Sequence, residues 1–459
     1  MQPTCFYDQP NLSEFLNKNY MINLPVVDSL LSEYQHLLKQ ESLKNTVIVY
    51  IHHALQTSIS VINSLLMLGA KPSHIYILGK SYSENKDVVK HLKALGVYYI
   101  DSSFQSGYGE YKQGFEADIN HLWALVQMNL DANTKDILIL DHGGHAIKSI
   151  PRKLKNAYQI IGIEKTSAGT MGYNDGNKPE IPIINVAGCA AKRFLESPLI
   201  ASAVSSKVGR IIQSISKEKV CSVIGYGAIG KSVARLLESQ GKKVLIYDLD
   251  HSISSHDSLE YIIEQSDYVF GCTGTDITSN NIESILQTKR SKVFLSCSSE
   301  DKEFLSLLKE ITKEKTFYPH ALFDEIIFNT KNGGNIILAK GGFPVNFDDS
   351  GESVPAQDIQ LTRALVVGGI IDSIILRQSY HRLPKDLIKL SCNIQKFIVS
   401  SWSKERLCTN EIPDLFLHTG LIEKESLGIV VKNAVLENEL FGKSRPYIIE
   451  SQKPAILNN

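Results

Sequence analysis

The sequence predicts an α/β protein of two doubly wound parallel-sheet domains, the second inserted into the first. Three observations carry this. Short apolar runs alternate with helical stretches through the first half. A glycine-rich turn between two further apolar runs starts a second alternating stretch near residue 220. A long apolar helix, Gln357–Leu376, follows it and can return to the first domain. Strands that alternate with helices imply parallel sheets covered on both faces, with ligands beyond the carboxyl ends of the strands.

The elements follow in order. Thr46–Ile51 (TVIVYI) is a buried-strand run, and Thr57–Leu68 a helix closed by Gly69. His74–Leu78 is a strand, Asp87–Leu95 a helix and Val97–Ile100 a short strand. Phe115–Met128 is helical, and Asp136–Leu140 (DILIL) is a strand running into Asp141-His-Gly-Gly-His145. His52, His53, His142 and His145 thus lie just past strand ends, where they can meet in one crevice. A helix over Pro198–Ser214 leads into the second domain. The expected division is a substrate domain over 1–197, a nucleotide domain over 217–345, and a return helix with a C-terminal extension over 355–459. A cleft between the two domains would hold the active site.

The sharpest signal is Val223–Asp250, VIGYGAIGKSVARLLESQGKKVLIYDLD. Strand Val220–Ile224 precedes Gly225, Gly227 and Gly230 in G-x-G-x-x-G spacing, a helix follows, and strand Lys243–Tyr247 ends at Asp248. This is a dinucleotide fingerprint in βαβ context. The first glycine makes the tight turn. The second lets backbone approach a pyrophosphate, with Ala228 and Ile229 starting the helix that faces it. The third packs helix on strand. An aspartate at 248 suits the ribose hydroxyls of NAD and would repel the 2′-phosphate of NADP. Strands Tyr268–Cys272, followed by Thr273-Gly274, Lys292–Cys297 and Asn335–Ala339 complete the nucleotide sheet.

The bulk numbers exclude several classes. With 43% hydrophobic and 21% charged residues in 459, the chain reads as globular, too long for one ordinary core. A net charge of −1 favours neither nucleic acid nor an anionic membrane. No secretory signal and no apolar run of transmembrane length stand out. Seven cysteines without a C-x-x-C pair fit reduced thiols, so a cytoplasmic location is expected. The histidines could converge on a metal, but no cysteine or carboxylate set completes a known pattern, so no metal is expected.

Seven blocks in order resemble the S-adenosylhomocysteine hydrolase family, over roughly His52 to Ile371. They are the His53 segment with its helix ending LGA, LDHGGH, GIEKTSAG, IPIINVAGCAAKRFLE, the glycine fingerprint, GCTGTDI and ILAKGGFPVNF. The resemblance implies tightly held NAD and transient oxidation of a sugar hydroxyl. The ketone permits elimination, water adds, and the ketone is reduced back. It places Lys192 beside the reacting hydroxyl, with Glu196 one turn on where the family has aspartate. His53 would handle the leaving group. Thr166, Ser167 and Asn346 would lie on the nicotinamide side. A surface ion pair is the bland alternative for Lys192 and Glu196.

The sequence departs from that family where substrate is gripped. His142 replaces a catalytic carboxylate. Lys165 replaces a glutamate that holds sugar hydroxyls. Ala187 replaces an asparagine, Ser299 a histidine, and Glu352 or Ser353 a purine-side histidine. Ala228 stands where the family has aspartate. The family's C-terminal K-P-D-H-Y-R-Y is absent, with Lys443, Arg445 and Tyr447 as its only counterparts. Lys165 and His142 would make the pocket more cationic and suit an anionic hydroxylated substrate. Three readings follow: an adenosylhomocysteinase-like enzyme acting on a nucleoside or related substrate, a net dehydrogenase of a hydroxy acid, or a non-catalytic NAD-binding regulator. For the second, no convincing Arg, carboxylate and His set is visible. The family implies a homo-oligomer, a dimer or tetramer.

Overall fold

The fold is described from a computed structural model. It covers residues 22–38, 41–104, 111–173, 176–313, 323–348, 350–408 and a hairpin at 422–425 and 428–431. The expected substitutes Lys443, Arg445 and Tyr447 lie outside the described residues.

The first sheet has seven strands. They are β1 (Thr46–His52), β2 (Ile75–Gly79), β3 (Tyr98–Ile100), β4 (Asp136–Asp141), β5 (Gln159–Glu164), β6 (Ile183–Asn185) and the late β13 (Leu387–Lys389). Their order is β13-β6-β5-β4-β1-β2-β3, all parallel. β1 is buried at every position, as a strand covered on both faces must be. The chain runs outward from β1 to β3, then restarts at β4 on the other side. The order therefore reverses between β1 and β4, which places the ligand crevice beyond His52 and Asp141.

The second sheet comprises β7 (Val220–Ile224), β8 (Lys243–Tyr247), β9 (Tyr268–Gly271), β10 (Lys292–Ser296), β11 (Ile326–Asn329) and β12 (Asn335–Leu338). It is ordered β11-β12-β10-β9-β7-β8. β11 runs antiparallel to β12, so this sheet is mixed rather than purely parallel. A short return between Asn329 and Asn335 leaves no room for a crossover helix, which forces the hairpin. Its reversal point lies between β7 and β9, beside Gly225. β13 rejoins the first sheet after the second is complete, so the nucleotide domain is inserted.

The helix Ala356–Ser379 is the hub of the first domain. It is longer than the sequence suggested, and it is apolar enough to cross a membrane by length and composition. That corrects the expectation that no such stretch exists. It is enclosed by protein, and it buries Asp358, Gln360, Thr362, Arg363 and Asp372 along with its apolar side chains. Gly368 and Gly369 let it lie close to Ile394 and Ile163: an added Cβ would stand 2.6 and 2.9 Å from them. One core cluster joins this helix to β1, β2 and β5. A second lies on the other face of the sheet, around Trp123 and Phe115.

Candidate functional site

The first reversal point gathers ionisable side chains. Successive residues of a strand point to opposite faces, so His52 and His53 part company. His52 stacks on Tyr50 at 4.1 Å and gives its Nδ1 hydrogen to the carbonyl of His53 at 2.5 Å. Its buried Nε2 has no partner among the described residues. His53 turns into the crevice and meets the His142 ring edge-on at 4.6 Å, with Phe347 stacked on it at 4.8 Å. Two of the four histidines therefore meet as expected, while His145 goes to Glu300 at 3.5 Å. Among the described residues no three metal-ligating groups converge.

Hydrogen-bond geometry fixes the tautomer of His53. The Ser83 hydroxyl donates to the carbonyl of Lys80 at 2.9 Å, which uses its one proton. His53 Nδ1, 2.5 Å from that hydroxyl oxygen, must then be the donor. Its Nε2 is left as a bare base. Burial first, then Lys80 and Lys165, hold His53 well below the ordinary histidine range. Burial, His53 and Lys80 do the same to His142. Both imidazoles are neutral at pH 7.

The turn after β4 is shaped by Asp141. Its carboxylate accepts from the His142 amide at 2.7 Å and the Ile147 amide at 2.8 Å. Gly143 and Gly144 take φ of +106° and +71°. A side chain at Gly144 would also meet the Gly169 backbone at 2.9 Å. Glu164 accepts from Thr166 N–H at 2.8 Å and Thr166 hydroxyl at 2.7 Å, and burial pushes it up to about 7.

Lys165 is 5% exposed and has no ion pair among the described residues. Its amine lies over the Tyr50 ring at 4.8 Å. Burial, then Arg363, hold it well below the ordinary lysine range. Burial thus works against the positive charge expected of this pocket, on Lys165 as on the imidazoles around it. Tyr50, pushed up to about 12 by burial, stays a phenol.

Lys192 and Glu196 do pair, with Glu196 buried and Lys192 half-buried. They sit on a wide π-type turn, Ala191–Glu196, at the start of the helix Ser197–Ser214. Such turns are concentrated at functional sites. Glu196 also accepts from the Thr362 hydroxyl at 2.8 Å, which locks the carboxylate toward Lys192. Arg363, the next residue, donates to Thr57 at 3.0 Å and lies 4.0 Å from Glu352. Glu352 accepts from the Thr57 amide and hydroxyl, which fixes it facing Arg363. Ala187 is buried nearby in sequence, without polar reach.

On the nucleotide side the glycine turn is open. Gly225 has φ +90°, and a Cβ there would stand 2.9 Å from the Cys272 carbonyl oxygen. A Cβ on Gly230 would collide with the Gly225 carbonyl oxygen, while one on Gly227 would meet nothing. Gly227 and Ala228 are exposed and Ile229 half-buried, at the start of the helix Ala228–Ser239. The Asp248 carboxylate accepts from Tyr226 N–H at 2.6 Å and Asp250 N–H at 3.1 Å, which holds it below the usual carboxylate range. It is thus ionised and has lone pairs left for a ribose. Asn346 Oδ1 is buried and has no partner among the described residues, so it can receive a carboxamide donor. These features fit NAD. Other expected contacts are already engaged. The Thr273 hydroxyl donates to Glu303 at 2.9 Å, and Gly274 N–H binds the same carboxylate. Thr166 caps the turn Ser167–Thr170; Ser167 is exposed.

Sequence reasoning missed Lys80, Glu300, Thr362 and Arg363. Lys80 Nζ reaches Glu300 at 2.8 Å, tying β2 to the loop after β10 and hence one domain to the other. Glu300 holds φ +60° there, a conformation maintained by its surroundings. Ser299 stands beside it with no ionisable group.

Residues 201–297 match the family described as D-isomer specific 2-hydroxyacid dehydrogenase, NAD binding domain. Two uncharacterized proteins from strains of Mycobacterium tuberculosis are each 28% identical over 356 residues, 76% of this chain and 67% of theirs. Among solved structures, NAD-bound 3-phosphoglycerate dehydrogenase of Entamoeba histolytica has TM-score 0.35 at 11% identity, covering 75% of this chain and 100% of that one. A D-isomer specific 2-hydroxyacid dehydrogenase from Lactobacillus delbrueckii has TM-score 0.28 at 12% identity, covering 74% and 100%. The inserted domain is therefore similar to a dehydrogenase's NAD-binding domain, which favours the hydroxy-acid alternative over the adenosylhomocysteinase-like one.

Proposed function

We propose that the chain is an NAD-dependent oxidoreductase that oxidises a secondary hydroxyl of a small hydroxy acid. One observation carries this: neutral imidazoles, the Lys192–Glu196 pair and an unpaired buried lysine converge at one strand-order reversal, in a chain with an NAD-binding domain. When bound, NAD supplies the hydride acceptor.

This chain's residues divide the rest. The bare Nε2 of His53, or His142 against it, takes the hydroxyl proton. Lys192 hydrogen-bonds the reacting oxygen and stabilises the charge that grows there. Glu196, fixed by Thr362, orients that amine. Lys165 and Arg363 receive the carboxylate. An arriving anion favours the protonated form of Lys165, because it supplies the counter-charge that burial withholds. Phe347 and Tyr82 pack against His53 and limit water there.

The test is reduced-nicotinamide absorbance when the full chain and NAD meet a panel of hydroxy acids. Stoichiometric NADH that persists supports the proposal. NADH that rises and decays within turnover would mark a redox-neutral cycle instead. Bound NAD with no redox change across the panel would point to a regulator.

A further inference from the structure

A cleft of about 630 Å³ lies beside His142, between the turn after β4, the helix Tyr111–Met128 and the loop after β10. That volume is ordinary for a small-molecule site. Its charge is not ordinary. Four lysines (Lys80, Lys112, Lys148 and Lys302) line it against two glutamates, Glu116 and Glu300. The excess is two positive charges.

The glutamates do not cover the lysines. Glu300 is shared by Lys80 at 2.8 Å, Lys302 at 2.8 Å and His145 at 3.5 Å. Glu116 lies 3.9 Å from Lys112, and both are exposed, so that pair neutralises little. Lys148 has no ion pair among the described residues. Its amine is 6.0 Å from the Tyr173 ring centre. Among the described residues the cleft therefore presents one ammonium without an ion pair and one half-neutralised, next to His142 and so next to His53.

We propose that this cleft binds a phosphate monoester carried by the substrate, gripped by Lys148 and Lys302. A dianion matches the charge excess, and its three terminal oxygens suit the several donors of two ammonium groups. A second carboxylate would balance only half of that excess. The assignment rests on the proposed oxidoreductase for the remainder of the substrate: the hydroxyl goes to Lys192, and the phosphate projects past His142 into the cleft.

Calorimetric titration of the full chain with inorganic phosphate and with methyl phosphate, each with and without NADH, tests this. Both probes should bind, with NADH present or absent. The double variant Lys148→Ala with Lys302→Ala should weaken them about tenfold or more and leave NADH affinity unchanged. No phosphate binding, or equal binding by the double variant, would overturn the assignment. Displacement of phosphate by NADH would overturn it too, by giving the lysines to the dinucleotide. NADH bound without phosphate removes the cleft and leaves the oxidoreductase; phosphate bound by a chain that binds no NADH does the reverse.

Discussion

The turn after β7 and the turn after β4 occupy the same place in two sheets of one kind. Each lies beyond a strand's carboxyl end, where strand order reverses. The β7 turn is open: Gly227 and Ala228 face solvent, and Asp248 is held ready by two backbone amides. The β4 turn is more deeply set: Asp141 and Gly144 are buried, and His142 is half-buried against His53. A dinucleotide needs a backbone shape, and shape can be written in one short stretch. A substrate needs ionisable groups with adjusted charge, and burial by distant segments makes that adjustment.

The largest test of this contrast is Lys192→Met. Turnover should fall about 10²–10⁴-fold, with NADH affinity unchanged. Equal losses of both would mean that the two turns are not separable. Gly230→Ala and Gly227→Ala divide the open turn itself. The first should cost about 3 kcal/mol in denaturant unfolding, since its Cβ strikes the Gly225 carbonyl. The second should change stability by less than about 0.5 kcal/mol but weaken NADH about tenfold, because only a ligand occupies that space. If Gly227→Ala binds NADH normally, the pyrophosphate lies elsewhere.

Lys165→Met reverses the usual direction. Replacing an unpaired buried amine by an apolar chain of similar length should raise stability by about 1–2 kcal/mol. It should also weaken an anionic substrate. A drop in melting temperature would show that Lys165 has a structural partner.

The smallest effect concerns pH. Glu164 in the folded chain titrates at about 7, above its ordinary 4.5. A raised value means the folded state binds the extra proton, so this contribution is full below pH 4.5 and is lost as pH rises through 7. Glu164→Gln should therefore gain a few degrees of melting temperature over wild type at pH 8 and little at pH 4. His53 and His142 act in the other direction. Their lowered values mean the unfolded chain protonates first, so stability falls as pH drops below about 6.5.

The two turns also differ in how readable they were. Val220–Ile224 and Lys243–Tyr247 have in the structure the bounds that the sequence suggested. Everything the fingerprint needs lies within Val223–Asp250. The meeting of His53 and His142 was readable because both follow strands that flank a reversal point. The Glu196–Thr362 and Thr57–Arg363 bonds join residues 166 and 306 apart, and Lys80–Glu300 spans 220. Such contacts leave no periodicity behind. β13 has three residues, too few for an alternation, and β11 turned antiparallel because its connection is short. The downward shift of Lys165 was hidden for a further reason: it depends on what covers the residue, not on its neighbours in sequence.

The central claim is hydride transfer from a secondary hydroxyl at Lys192 to a dinucleotide on the open turn. It can be tested by giving the full chain and NAD a panel of hydroxy acids deuterated at the carbinol carbon, then weighing the nicotinamide by mass spectrometry. The account predicts deuterium in the dinucleotide with wild type and almost none with Lys192→Met. An unlabelled dinucleotide across the panel, in a chain that holds NAD, would contradict it.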